Sequence, residues 1–89
     1  MPDKATSKYR APALEKGLDV LELLASAKSP MTLSQISTRL ERSVSELFRM
    51  VQVLETRGYV GMSAGGDGFE LTNKLFSLGI SRGPSQNLL

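Results

Sequence analysis

Two helix-opening signals stand close together in the middle of this chain, and they constrain the fold more than anything else in it. Thr32-Leu33-Ser34-Gln35 reads T-x-x-Q, and Ser43-Val44-Ser45-Glu46 reads S-x-x-E. Each is a capping box, in which a hydroxyl accepts from the third backbone N–H of a helix while the Gln or Glu side chain reaches back. A helix that opens at Leu33 must therefore end before Ser43. The apolar residues agree, with Leu33, Ile36 and Leu40 in the first series and Leu47, Met50, Val51 and Leu54 in the second. Both follow the 3.6-residue period. Only Glu41, Arg42 and Ser43 lie between them. A two-turn helix, a three-residue turn and a longer helix make a helix-turn-helix.

The rest of the chain is arranged around that pair. Pro12 suits the first turn of a helix. Leu14, Leu18, Leu21, Leu24 and Ala25 follow it as one helical stripe, widened by Val20 and Leu23, until Ser29-Pro30 stops the run. Gly58 is a natural stop for the longer helix. Beyond it the period changes to two. Tyr59–Ser63 and Phe69–Thr72 read as short strands around Ala64-Gly65-Gly66-Asp67-Gly68, a glycine-rich hairpin tip. Pro30-Met31-Thr32 is a candidate third, edge strand. Lys74–Gly79 resumes a helical period before Arg82-Gly83-Pro84, and Ser85–Leu89 reads as the start of another helix. The predicted class is mainly α with a small β-hairpin: a three-helix bundle with a two- or three-stranded wing, then a linker helix. Residues 1–11 are a polar, aperiodic arm, 12–73 the domain and 74–89 the linker.

Composition removes whole classes of function. The chain has 89 residues, no Cys and no His. Disulfides, Cys/His zinc sites, haem ligation and chemistry needing a His base or Cys nucleophile are excluded. The acidic residues are dispersed, and the GGDG run lacks the strand–loop–helix setting of a phosphate-binding loop. The expectation is no enzyme, no cofactor and no metal. No apolar run is long enough to cross a membrane, and residues 1–15 lack a signal-peptide core, so the expected location is cytoplasmic. The net charge is only +2. It is concentrated, however, in residues 1–16 and 28–57, which permits a polyanion partner.

The longer helix carries the functional signal. Placed at 100° steps, Leu47, Met50, Val51, Leu54 and the stem of Arg57 share a core face. Ser45, Arg49, Gln52 and Thr56 share the opposite one. A merely solvated face more often carries several Glu and Lys. Arg pairs with guanine O6/N7 and Gln with adenine N6/N7, while Ser and Thr suit phosphates or base edges. We read Ser45, Arg49 and Gln52 as base-reading residues, and Lys16, Thr32, Arg42, Ser43 and Thr56 as phosphate contacts. Val44, Glu46, Phe48 and Gly66 are possible further DNA contacts. Phe48 has two readings. It is a core-edge residue covering the first helix, which we prefer, or it presses on a sugar or thymine methyl. For Tyr9 with Lys8 and Arg10, a disordered tail is preferred to a minor-groove arm.

At this point the chain resembles the DNA-binding domain of the IclR family of bacterial transcriptional regulators. The likeness rests on Ala13-Leu14-Glu15-Lys16-Gly17-Leu18 with Val20–Leu24, on Met31–Ile36, and above all on Phe48–Val60. Phe69–Thr72 with Leu75–Gly79 is similar to the family's second wing strand and linker. The resemblance implies a winged helix-turn-helix with recognition helix Val44–Arg57, double-stranded DNA as partner, and a homodimer packed through the first helix, the linker or both. It also implies a small-molecule effector bound only by a C-terminal domain absent from this sequence, and hence an isolated domain or truncated product. The chain departs from the pattern in places. Val44-Ser45-Glu46 stands where Lys-Ser-Thr is common, Lys16 where Arg is, Glu41 where Gly is and Ser37 where Ala is. The wing tip offers Asp67 and glycines in place of a cation. A protein-binding winged helix without nucleic-acid affinity is the alternative function.

Overall fold

The computed structural model describes residues 8–82. The elements run α1 (Pro12–Ser26), α2 (Leu33–Leu40), α3 (Val44–Thr56), β1 (Val60–Met62), β2 (Phe69–Leu71) and α4 (Lys74–Ile80). Both capping boxes form as the sequence reads them. Thr32 Oγ1 accepts from Gln35 N while Gln35 Oε1 accepts from Thr32 N. Ser43 and Glu46 repeat the exchange. The turn between α2 and α3 puts Glu41 in the left-handed region at φ 55°, the one described non-glycine residue there. Ser37 donates its hydroxyl to the Arg42 carbonyl, and Arg42 N donates to the Ser37 carbonyl. Ser37 therefore ties the turn as well as standing where a small residue suits the family pattern.

The core is small and made by every element from α1 to β1: Val20, Leu24, Met31, Ile36, Leu47, Val51 and Val60 are buried. No buried residue in the described chain is polar or charged. The buried face of α1 corrects the sequence reading. Val20 and Leu24 point inward, whereas Leu14 and Leu18 are exposed at 62% and 44%. Apolar residues surround much of this helix, and packing against α3 and β2 selects the Val20–Leu24 stripe. Arg57 is exposed too, so its stem is not part of the core.

The sheet is antiparallel with Val60 opposite Leu71 and Met62 opposite Phe69. The expected third strand shrinks to one bridge. Met31 and Phe69 exchange both backbone hydrogen bonds, at 3.0 and 2.8 Å. Thr32 immediately leaves the ladder to cap α2, which keeps that strand to one residue. The bridge also explains a glycine. A Cβ on Gly68 would lie 2.6 Å from the Met31 carbonyl carbon and oxygen. The tip needs a positive φ only at Gly66, at 73°. Gly68 is thus required by the close approach of a second backbone, a tertiary cause that a hairpin motif does not reveal.

Helix α4 is held at its start. Thr72 Oγ1 donates to the Gly58 carbonyl and accepts from Lys74 N. Lys74 Nζ donates to the Arg57 carbonyl at 2.8 Å and sits 4.9 Å above the Tyr59 ring centroid. A cation at these last carbonyls of α3 is favourably placed against the helix dipole. Residues 83–89, with the expected further helix at Ser85–Leu89, lie outside the described residues, as do residues 1–7 of the arm.

Candidate nucleic-acid interface

The surface of α3 is divided along its length. Leu47 and Val51 are buried, Met50 and Leu54 half-buried, and Ser45, Arg49, Gln52 and Thr56 all exposed. None of the side chains of Ser45, Arg49 and Gln52 makes a hydrogen bond or ion pair among the described residues. Their donors and acceptors are open to an incoming partner. Burial of α3's other face against α1 and α2 holds this row on a rigid element.

Four of the five residues read as phosphate contacts are exposed: Thr32, Arg42, Ser43 and Thr56. Thr32 and Ser43 are the N-caps of α2 and α3. Their hydroxyl oxygens accept from backbone N–H, which leaves each O–H as a donor. Helix N-termini carry the positive end of the peptide dipole and suit an anion. Arg42 lies between the two caps with its guanidinium unpaired among the described residues.

Lys16 is differently placed from the rest. Its Nζ lies 2.6 Å from Glu46 Oε2, and its side chain is only 19% exposed. The ion pair joins α1 to the first turn of α3. Glu46 is thereby used twice, since Oε1 accepts from Ser43 N in the capping box. The hydrogen bond from Lys16 holds the Glu46 carboxyl below its ordinary pKa, although its partial desolvation acts the other way. A bare carboxylate at Glu46 would repel phosphate unless it were used in the capping box or accepted from a cytosine amine; here the box is formed and Lys16 offsets much of the charge. The same pair lines an open groove of about 520 Å³ between the start of α1 and the first half of α3, together with Ser45 and Arg49.

The remaining candidates divide by position. Gly66 is exposed at the wing tip, where its N–H donates to the Ser63 carbonyl and Asp67 is the only charge in the turn. Val44 and Phe48 are exposed at 46% and 53%. Phe48 does not cover α1, as the sequence reading prefers. Around the helix it lies on the opposite flank from Glu46, whose carboxylate pairs with Lys16 of α1. In the arm, Arg10 is clasped by both carboxylate oxygens of Glu15, at 3.0 and 2.7 Å. This ties it to α1.

The comparisons with known proteins converge. Residues 13–61 match the IclR helix-turn-helix domain. An IclR transcriptional regulator from Alicyclobacillus acidocaldarius superposes with a TM-score of 0.75 at 27% identity, over 83% of this chain. HmgR of Pseudomonas aeruginosa gives 0.69 at 22% identity over 81%, a likeness of fold. The chain spans 30% and 31% of the lengths of these two structures. A search of curated protein sequences gives no match.

Proposed function

The chain belongs to the IclR family as a winged helix-turn-helix DNA-binding domain of a transcription regulator, and from that premise we propose that it reads a (pseudo)palindromic operator as a homodimer with α3 in the major groove. The observation that carries the reading is the unpaired row Ser45, Arg49 and Gln52, exposed along the first two-thirds of α3 and opposite its buried stripe. Recognition helices use their N-terminal residues on base edges. Arg49 takes a guanine or Gln52 an adenine in the bidentate geometry of the major groove. Arg42, Ser43, Thr32 and Thr56 set the register on the backbone. Gly66 brings the wing backbone toward a neighbouring sugar–phosphate without a cation.

Support for the dimer comes from apolar surface that the protomer leaves uncovered. Leu14 and Leu18 on α1, and Leu75, Phe76, Leu78 and Ile80 on α4, are all exposed. No residue of α4 is buried. A second copy covers this surface, and the pairing of two recognition helices gives the operator its symmetry.

The test is a titration of duplex DNA with the chain at several salt concentrations, followed by fluorescence anisotropy. Counterion release gives a log–log slope of about −0.9 for each phosphate neutralised, so a dimer with two or three basic contacts per subunit shows a slope of roughly −3.5 to −5.5. A protein-binding winged helix gives no binding at low salt, or a slope near zero.

A further inference from the structure

The flank of α3 beside the polar row is apolar and exposed. Val44 and Phe48 are four residues apart, so they stand on one line along the helix. Phe48 lies about 40° from Gln52 and about 60° from Ser45 around the axis. Neither Val44 nor Phe48 belongs to the buried cluster or to the residues packed against it. The pair occupies the first half of α3, directly after the N-cap Ser43. Val53, equally exposed, lies on the other flank and further from the N-terminus.

A side chain of this kind has nothing to offer a phosphate. In the major groove, the one apolar feature of a base edge is the C5 methyl of thymine. We infer that Val44 and Phe48 form a seat for thymine methyl groups next to the base pair read by Arg49 or Gln52, and so set base choice at positions where no hydrogen bond does. The inference rests on the reading of α3 as the groove helix and assigns it a second, apolar mode of recognition. It also gives a use to Val44, the position where the chain replaces the family's common Lys. A cation there would favour phosphate, while Val turns the same place toward a methyl.

The experiment is a double-mutant cycle between protein and DNA. A site is first enriched from random duplexes, and each thymine is then replaced singly by deoxyuridine, which removes only the methyl. Anisotropy titrations compare the chain with its Phe48→Ala, Phe48→Leu and Val44→Ser variants, with thermal melts confirming that all four are folded. At one or two thymines per half-site, methyl removal weakens the unaltered chain about fourfold, the effect of roughly one buried methyl. Phe48→Ala or Val44→Ser abolishes that dependence, and Phe48→Leu retains part of it. If methyl removal costs nothing anywhere, or costs the variants as much as the parent, the inference is wrong while the DNA reading stands. An apolar protein partner on this flank gives that result. If no site can be enriched, the DNA reading fails and the inference with it.

Discussion

Arg49 and Arg42 are both exposed cations, yet they stand in different places, and their removal should read differently. Arg49 is on the outward row of α3, one turn after Ser45, whereas Arg42 is in the turn between two helix caps. Arg49→Ala is expected to cost about 1–3 kcal/mol on the preferred site and relax base choice at one position per half-site. Arg42→Ala should weaken all sequences about equally and flatten the salt slope. Binding titrations on a site and its single-base variants distinguish the two patterns. Glu46 gives a different kind of prediction. Because its folded carboxyl is held below the ordinary value by Lys16, its contribution to stability is complete above that ordinary value. It is lost as pH falls through the depressed one. Glu46→Gln keeps a capping acceptor and removes the charge, so its unfolding midpoint should lose that part of the acid-side fall. It should also free Lys16 for phosphate, making DNA binding tighter and its salt dependence steeper. The Lys16–Glu46 pair is not legible in the sequence. The two residues are 30 positions apart and meet only through the packing of α1 on α3.

Elements whose ends carry their own chemistry are legible in the sequence. The two capping boxes delimit α2 and α3, and Gly58, at φ 89°, stops α3 as its sequence position suggests. The outward row of α3 follows directly from its period. What the sequence hides is decided by neighbours. The inward face of α1 is ambiguous because leucines lie on more than one of its sides. Gly68 reads as an ordinary turn residue because the backbone of Met31, which it must clear, is remote in sequence. Gly68→Ala should therefore destabilise by about 1–3 kcal/mol through the forced separation of Met31 from β2. The α2–α3 turn predicts the opposite sign. Glu41 sits at φ 55°, a conformation that costs an L-residue about 1–2 kcal/mol. Part of that gain is offset by the greater freedom of Gly in the unfolded chain, so Glu41→Gly should stabilise by about 0.5–1 kcal/mol. Urea unfolding of both variants measures the two effects, and equal stability of Gly68→Ala with the parent would remove the Met31 argument.

For the molecule as a whole, the governing feature is how little it buries. Among the described residues seven buried side chains make the core, while α4 and the outer side of α1 remain apolar and uncovered. A domain this small holds its fold with a thin margin, and in the proposed dimeric reading its DNA affinity rests on bringing two copies to one site. Fusing the chain to an unrelated dimer should raise affinity through effective concentration alone. The most direct measurement is the selection of bound sequences from random duplex DNA with that dimeric fusion. The account predicts an enriched inverted repeat with half-site centres about one helical turn, or a multiple of it, apart. Its half-sites should lose their preference at one position when Arg49 is replaced by Ala. Recovery of sequences with no common motif, or of a motif unchanged by Arg49→Ala, would contradict it.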